Sequence, residues 1–172
     1  MALLIGSVVC AADAASKFLA VAGLASHRPV VLLDGLLTLR LYRNPGAAFS
    51  IGPSYTAVYA LVAAGVLAGI VRVSGRLRSW PWAIALGLLL GGAAGNLMDR
   101  LFRSPGLLHG AVVDWIKLAY FPPVFNVADS AITVGAVLLV LAGARGWRLD
   151  GRGSPSSAAI GPAPGGPPHG RT

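Results

Sequence analysis

Four long apolar stretches constrain the fold of this 172-residue chain more than any other feature. They run roughly over residues 2–25, 56–73, 81–98 and 126–144. Crossing the ~30 Å hydrocarbon core of a bilayer takes about 20 helical residues, so each stretch is long enough to span a membrane. Inside hydrocarbon the backbone must satisfy its own hydrogen bonds, which makes such spans helical. We therefore expect an all-α membrane protein with four transmembrane helices.

The composition agrees with this class of protein. Hydrophobic residues make up 55% of the chain and charged residues only 12%, and the mean hydropathy is +0.71. A chain of this length has room for one membrane domain of a few spans, and not for a soluble catalytic domain as well. Gly, Pro and Ser dominate the last part of the sequence. We expect a membrane domain over residues 1–145 and a disordered cytoplasmic tail over residues 146–172.

The distribution of arginine predicts the orientation in the membrane. Arginines occupy the short link between the second and third spans, and more follow the fourth span. They are Arg72, Arg76, Arg78, Arg145, Arg148, Arg152 and Arg171. The positive-inside rule places both clusters, and therefore both termini, in the cytoplasm. The net charge of +8 then reflects membrane orientation and contacts with anionic headgroups. Nucleic acid is not an expected partner, because cations also occur in the outer segments.

A small sheet is expected outside the membrane, between the first and second helices. Residues 30–43 contain two β-rich runs around Asp34-Gly35, a pair suited to a tight type I′ hairpin. In the second run leucines alternate with polar residues, so one face can lie on lipid or helices. The small residues of 43–50 follow, where the backbone can approach a partner closely. The pattern predicts a small amphipathic sheet at the outer membrane surface.

Several chemistries are disfavoured by what the sequence lacks. Cys10 is the only cysteine, so neither an intramolecular disulfide nor a cysteine-based metal site is expected. The three histidines are isolated, and no HExxH, GxSxG, P-loop or CxxC motif occurs. We therefore expect no metal and no cofactor.

The acidic residues are the strongest functional signal. All six are aspartates, and four lie in or beside apolar sequence: Asp13, Asp99, Asp114 and Asp129. Charges near hydrocarbon are costly and are kept mainly where they have a function. Asp114 and Asp129 could meet as a carboxylate pair that shares a proton, the device by which aspartic proteases activate water. Asp13 and Lys17, at i and i+4, can neutralise each other.

Helical spacing groups the other polar residues. Asn96, Asp99 and Arg100 share one face at the end of the third span. At the start of the fourth span, Asn126 and Asp129 continue into Ser130 and Thr133 as a polar stripe. Hydrogen bonds between helices are the simplest role for the two hydroxyls. In the third span, Gly91 and Gly95 form a GxxxG pattern that predicts close approach of another helix.

Five short motifs occur together and in order. They are DAASK (13–17), RNPGAAFS (43–50), GNLMDR (95–100), GAVVDW (110–115) and FNVADSAITVG (125–135). This set closely resembles the lipoprotein signal peptidases (signal peptidase II) of bacteria, from about residue 10 to residue 145. The resemblance implies a membrane aspartic endopeptidase with four helices and an outer β-cradle. Its substrates would be prolipoproteins already diacylglyceryl-modified on the lipobox cysteine, cleaved just before that cysteine.

The resemblance also assigns roles by matching motif. Asp114 and Asp129 correspond to the catalytic pair. Five positions correspond to residues that bind substrate or shape the site: Asn44, Asn96, Asp99, Arg100 and Asn126. Asp13 and Lys17 match the polar pair of the first helix. The family implies a location in the bacterial cytoplasmic membrane, in contact with lipid and with the active site near the outer face.

Two other functions remain possible from the residues alone. In a proton-coupled transporter or a structural membrane subunit, aspartates would relay protons or hold helices together. Transport predicts a polar route across the whole membrane, whereas Asp99, Asp114 and Asp129 gather near the expected outer face. The GxGD class of intramembrane aspartyl proteases is disfavoured because no GxGD motif occurs.

Overall fold

The computed structural model describes residues 1–25, 27–46 and 56–149, and within them the four predicted spans are helices. The helices are α1 (Ala2–Leu24), α2 (Thr56–Ser74), α3 (Trp80–Phe102) and α4 (Val127–Ala144). All four are long and apolar enough to cross a membrane. Helix α3 continues past the predicted end at residue 98, so Asp99 and Arg100 lie in its last turn. Of the tail predicted over residues 146–172, only residues 146–149 are described, and the rest lies outside the described residues.

Helix α3 is the centre of the bundle and packs against the other three helices. Half of its most apolar window is buried, compared with 17–22% for the other helices. Glycines on α3 permit this packing: an added Cβ at Gly87 would approach the carbonyl of Ala2, and one at Gly91 the carbonyl of Gly6. One at Gly95 would meet Asp13. The GxxxG prediction is therefore confirmed, and α1 runs parallel to α3.

Helix α4 packs on α3 in the opposite direction. An added Cβ at Gly92 would meet the carbonyl of Ala128, and one at Gly135 would meet the carbonyl of Ala85. The outward faces of α1, α2 and α4 are apolar and exposed, as Phe18 on α1 illustrates. Such surfaces suit lipid and not water. The protein is a multi-pass membrane protein.

A four-stranded antiparallel sheet lies beside the bundle, in the order β1-β2-β3-β4. Its strands are β1 (Val30–Leu32), β2 (Leu37–Asn44), β3 (Val112–Leu118) and β4 (Phe121–Phe125). The prediction of a sheet between the first two helices was therefore incomplete, because β3 and β4 come from the segment between α3 and α4. Strand β4 contains Pro122 and Pro123, which argue against a strand in a sequence. They are tolerated here because β4 is an edge strand.

The predicted hairpin at residues 30–43 is confirmed, but its turn is longer than expected. Leu32 pairs with Leu37, which leaves four connecting residues in place of a two-residue type I′ turn. Asp34 and Gly35 both adopt positive φ, at 51° and 90°. Asp34 is thus a turn residue, as predicted.

The register between β2 and β3 positions the first polar residues of the site. Tyr42 lies opposite Asp114 and Asn44 opposite Val112, after an irregularity that begins at Leu39. The close approach predicted for residues 43–50 can be followed to Gly46, because 47–50 lie outside the described residues.

The opposite end of the bundle is closed by the segment after α4. The indole Nε1 of Trp82 donates to the carbonyl of Trp147 at 2.8 Å. The backbone N–H groups of Arg78 and Ser79, just before α3, donate to the carbonyl of Leu149. The link between α2 and α3 and the end of α4 therefore lie together.

Candidate active site

Asp129 is fixed by the way in which α4 begins. Asn126 is the N-cap residue, and its side-chain oxygen accepts from the backbone N–H of Asp129 at 2.9 Å. In return, Oδ2 of Asp129 accepts from the backbone N–H of Asn126 at 3.2 Å. This reciprocal capping box satisfies two free N–H groups of the helix start. It holds the Asp129 carboxylate at the N-terminal end of α4.

Asp114 lies in β3 and is almost fully buried, with 1% of its surface exposed. Two side-chain amides donate to its carboxylate. Asn126 Nδ2 lies 2.7 Å from Oδ1, and Asn44 Nδ2 lies 3.0 Å from Oδ2. A further hydrogen bond orients the Asn44 side chain, because its Oδ1 accepts from the backbone N–H of Gly46 at 3.0 Å. Both oxygens of Asp114 are thus held by donors from neighbouring elements.

A third amide, that of Asn96 on α3, completes the connection. Asn96 Nδ2 donates to Oδ1 of Asp129 at 2.7 Å, and Asn96 Oδ1 accepts from Asn126 Nδ2 at 3.2 Å. Asn126 therefore contacts both aspartates and Asn96. The two carboxylates that the sequence singled out are brought into one hydrogen-bond network.

The electrostatics of Asp114 reflect this arrangement. Burial raises the pKa of Asp114, and the neighbouring charge of Asp129 raises it further, to about 7. The donors from Asn44 and Asn126 oppose the shift, because they stabilise the ionised form. A carboxyl with a pKa near neutrality can act as either an acid or a base under physiological conditions.

Both aspartates line a cavity of about 710 Å³. Apolar residues of β3, β4 and α4 form much of its wall: Val112, Leu118, Phe121, Pro123, Val124, Phe125, Ile132 and Val134. The polar part of the wall contains Asn44, Gly46, Tyr59, Asn96, Arg100, Ser130 and Thr133. Two carboxylates therefore face a mainly apolar space large enough for a peptide segment or part of a lipid.

Arg100 connects the end of α3 to the segment after β2. Its Nη1 donates to the carbonyl of Asn96 at 3.2 Å, and its Nη2 donates to the carbonyl of Gly46 at 3.0 Å. Its charge also interacts with those of Asp114 and Asp129. Arg100 thus places a positive charge beside the carboxylate pair and fixes the backbone at Gly46.

A buried ionic cluster lies behind the cavity. Lys17 Nζ lies 2.7 Å from Oδ2 of Asp13 and 2.9 Å from Oδ2 of Asp99. The predicted pairing of Asp13 with Lys17 is therefore confirmed. Within the described residues, Asp99 forms its ion pairs with Lys17 and Arg103, and not with the adjacent Arg100.

The structure separates the five residues expected to bind substrate. Asn44, Asn96 and Arg100 line the cavity, whereas Asp99 and Asn126 do not appear among its described lining residues. Asp99 and Asn126 are 5% and 0% exposed. Their contacts are with the protein itself, because Asp99 accepts from the backbone N–H of Val113 at 3.1 Å and Asn126 bridges the aspartates.

The expected role of the two hydroxyls in α4 is wrong. Ser130 Oγ donates to the carbonyl of Asn126, and Thr133 Oγ1 donates to the carbonyl of Asp129. These are bonds to the residue four positions earlier in the same helix, which satisfy the hydroxyls locally. Ser130 and Thr133 therefore line the cavity without joining two helices.

Sequence reasoning missed several residues of the site. Arg103 pairs with Asp99 at i+4, a spacing that the sequence contains. Tyr59 of α2 and the wall formed by β4 have no comparable local signal. Their positions depend on packing between segments far apart in the chain.

Comparison with known proteins identifies the family. A family model for signal peptidase (SPase) II matches residues 5–145. The chain belongs to the signal peptidase II family. The lipoprotein signal peptidase of Rhodococcus jostii is 52% identical over 147 residues, which cover 86% of this chain and 74% of the relative. That of Streptomyces coelicolor is 50% identical over 139 residues, covering 81% and 68%.

Solved structures agree with this assignment. A bacterial membrane enzyme determined by the in meso method superposes with a TM-score of 0.72 at 26% identity, covering 84% of this chain and 87% of that one. A second such enzyme gives 0.69 at 27% identity, covering 82% and 90%. Membership of the signal peptidase II family decides among the functions that the sequence left open, because it makes the protein a protease.

Proposed function

We propose that this signal peptidase II removes signal peptides from diacylglyceryl-modified prolipoproteins by cutting just before the lipidated cysteine, and that Asp114 and Asp129 are its catalytic pair. The observation that carries the assignment is the network in which Asn126 contacts both aspartates at one cavity. The electrostatic coupling of the two carboxylates supports it, because like charges in contact retain a proton.

The reaction needs one proton on the pair and one water molecule. Asp129 accepts hydrogen bonds from the Asn96 side chain and from the backbone N–H of Asn126, and we assign it the role of the base. Asp114, with its raised pKa, is suited to hold the proton. Asp129 takes a proton from water as the water oxygen attacks the scissile carbonyl, while Asp114 donates a proton to the carbonyl oxygen. When the tetrahedral intermediate collapses, Asp114 takes a proton back from a hydroxyl of the intermediate, the C–N bond breaks, and Asp129 protonates the leaving amine, which restores the starting protonation of the pair.

Substrate binding is assigned to the polar residues of the cavity wall. Asn44, Asn96 and Arg100 are placed to bind the peptide backbone or the ester groups of the lipid. The apolar wall of β4 and α4 suits the lipid-bearing side of the substrate. Asp99 and Asn126 shape the site from behind, and the pair Asp13 and Lys17 supports it. A carboxyl pair supplies both acid and base, so we propose that neither a metal nor a cofactor takes part.

The same proposal orients the protein in the bacterial cytoplasmic membrane. Arg76, Arg78 and Arg145 lie at the end of the bundle opposite the sheet, which favours a cytoplasmic location for that end. Both termini would then be cytoplasmic, with the sheet and the aspartates near the outer face. Residues 1–145 form the peptidase domain in this scheme, and 146–172 form a cytoplasmic tail. Lipid is a partner, and nucleic acid is not.

Cleavage of a diacylated prolipoprotein by purified protein in lipid or detergent tests the proposal. We expect the wild type to release the signal peptide, and Asp114→Asn and Asp129→Asn to lose activity by several orders of magnitude. Asp34→Asn is the matched control, because Asp34 lies in the turn before β2. We expect this variant to remain active. Retained cleavage by a folded variant of either catalytic residue would overturn the assignment. Cleavage of the unlipidated precursor at an equal rate would overturn the substrate class.

A further inference from the structure

We propose that Lys17 is a positioning residue for proteolysis, acting through Asn96 to present a hydrogen-bond donor to Asp129. This inference rests on the proposed function of Asp129. Lys17 is 1% exposed and does not line the cavity in the part of the chain that the structure describes. Its Nζ nevertheless lies 3.0 Å from Oδ1 of Asn96. Asn96 Nδ2 in turn lies 2.7 Å from Oδ1 of Asp129.

The chemistry of the two groups fixes the direction of this chain. An ammonium group has donors and no acceptor, so the atom of Asn96 that faces Lys17 must be the amide oxygen. The amide nitrogen then faces Asp129 and donates to it. A reversed amide would place its oxygen against the carboxylate and its NH₂ against the ammonium, which is unfavourable on both sides. Lys17 therefore determines that Asp129 receives a donor.

Asn126 favours the same orientation of Asn96, but more weakly. Its Nδ2 carries two hydrogens and lies near three acceptors: Asp114 Oδ1 at 2.7 Å, Asn96 Oδ1 at 3.2 Å and the Val113 carbonyl at 3.3 Å. The bond to Asp114 is the shortest and uses one hydrogen, so the oxygens of Asn96 and Val113 share the second hydrogen. Lys17 is closer to Asn96 and is charged, and charge-assisted hydrogen bonds are the stronger kind.

The partners of Lys17 tie the same cluster to the backbone beside each catalytic residue. Asp13 Oδ1 accepts from the N–H of Ala128, directly before Asp129, at 2.9 Å. Asp99 Oδ2 accepts from the N–H of Val113, directly before Asp114, at 3.1 Å. Lys17 is the common cation of the two carboxylates. One buried charge therefore connects the backbone of both catalytic residues with the amide that orients Asp129.

The charge of Lys17 also acts on the titration of the pair. The charged or titratable groups that interact with the pair or with its neighbours come from three helices and the residue that follows α3. They are Cys10, Asp13 and Lys17 of α1, Tyr59 of α2, Asp99 and Arg100 of α3, and Arg103. Among them, Lys17 lowers the pKa of Asp114, against the larger effects of burial and Asp129. Loss of this cation should raise the pKa of Asp114 and move the alkaline limb of the kcat/KM profile to higher pH.

Two variants separate the contact with Asn96 from the ion pair. Asp13→Asn removes a charge and keeps one oxygen, which can accept either from the N–H of Ala128 or from Lys17, while Lys17 retains Asp99 and Asn96 as acceptors. Asp13→Asn combined with Lys17→Met is balanced in charge but loses that contact. We expect kcat of the double variant to be about 10- to 100-fold below that of Asp13→Asn, the usual effect of removing a residue that orients a functional group. KM should change less than kcat, because Lys17 does not line the cavity and acts on it only through Asn96.

Lys17→Gln provides a second measurement, which also serves if the double variant does not fold. A glutamine amide both donates and accepts, so it no longer dictates the orientation of Asn96. We expect a lower kcat and an alkaline limb displaced to higher pH. A merely structural loss would lower the amount of active enzyme without moving the limb.

The outcomes distinguish this inference from the proposed function. Equal kcat in Asp13→Asn and the double variant, or wild-type kcat in a folded Lys17→Gln enzyme, would overturn the role of Lys17. Asp114→Asn and Asp129→Asn are assayed in parallel. Activity retained in either of those would instead overturn the catalytic assignment on which the inference rests.

Discussion

The side-chain amide of Asn126 donates a 2.7 Å hydrogen bond to Oδ1 of Asp114. The same side chain caps α4 by accepting from the backbone N–H of Asp129. One fully buried residue thus joins a strand that carries the first aspartate to a helix that carries the second. This amide therefore links the two carboxylates directly across the two elements.

Replacement of Asn126 should therefore damage both activity and stability. In Asn126→Ala, Asp114 loses a donor and α4 loses its N-cap. We expect kcat to fall by roughly 100-fold or more, as when a preorganised donor is removed from an active site. Loss of the cap should lower the free energy of unfolding by about 1 kcal/mol. Turnover of lipidated precursor and thermal unfolding in detergent measure the two effects.

Asn126→Ser is the matched control for the two roles. A serine hydroxyl can cap α4 but is too short to retain both contacts of the asparagine. We expect stability close to wild type with activity as low as in the alanine variant. Full activity in the serine variant would show that the contact with Asp114 is dispensable.

The raised pKa of Asp114 predicts how activity depends on pH. The proposed reaction uses a pair that carries one proton, and the buried Asp114 beside Asp129 releases that proton at about pH 7. We expect kcat/KM to fall as pH rises through 7, toward a tenfold loss per pH unit above it. A profile that stays flat up to pH 9 would contradict the proton-sharing pair.

Stability should also depend on the proton of Asp114, with a definite sign. The folded pKa, about 7, lies above the ordinary value of 3.8, so the folded state binds this proton more tightly than the unfolded state does. Stability from this group is therefore full below about pH 4 and is lost as pH rises to 7. We expect the wild type to lose thermal stability over this interval by more than Asp114→Asn does. An identical slope in both proteins would refute the linkage.

Local patterns in the sequence predicted the helices and the aspartate pair for identifiable reasons. A membrane span is recognisable from length and hydropathy alone. Asp114 and Asp129 were recognisable because acidic residues are rare beside apolar sequence. The pairing of Asp13 with Lys17 followed from helical spacing, which is also local.

The parts that the sequence did not predict depend on contacts between distant segments. Pro122 and Pro123 argued against β4, and only its place at the sheet edge makes that strand possible. Asp99 was expected to bind substrate or shape the site because its motif matches the one in the signal peptidase II family. Helix α3 turns that residue toward α1 and Lys17, more than 80 positions earlier in the chain. No local pattern specifies such a partner.

Close packing of α1 on α3 predicts a sharp difference between two glycines. An added Cβ at Gly91 would lie 2.5 Å from Cβ of Val9 and 2.6 Å from the carbonyl oxygen of Gly6. Backbone atoms cannot yield as a flexible side chain does, so α1 would be displaced along with Asp13 and Lys17. We expect Gly91→Ala to lower the free energy of unfolding by about 1–3 kcal/mol and to reduce activity.

Gly69 of α2 is the matched control, because an added Cβ there meets no described atom within 4 Å. Alanine is also the better helix former, so Gly69→Ala should leave stability unchanged or slightly improved. Thermal unfolding of both variants in the same detergent makes the comparison. Equal stability of the two would show that the interface between α1 and α3 is looser than described.

Arg100 provides a test of geometry against charge. Its guanidinium reaches two carbonyl oxygens from different nitrogens, Asn96 at 3.2 Å and Gly46 at 3.0 Å. Arg100→Lys keeps the positive charge near the aspartates but offers a single nitrogen, so at least one of these bonds is lost. A hydrogen bond from a charged group contributes roughly 1.5–3 kcal/mol, which corresponds to about 10- to 100-fold in kcat/KM.

Arg103→Lys is the matched control for this substitution. Arg103 contacts Asp99 through a single nitrogen, Nε, so an ammonium group can replace it with little loss. We expect kcat/KM near the wild-type value for Arg103→Lys and a loss of about 10- to 100-fold for Arg100→Lys, measured on the same lipidated precursor. If Arg100→Lys were equally active, the positive charge alone would matter. The fixed backbone at Gly46 would then have no part in forming the site.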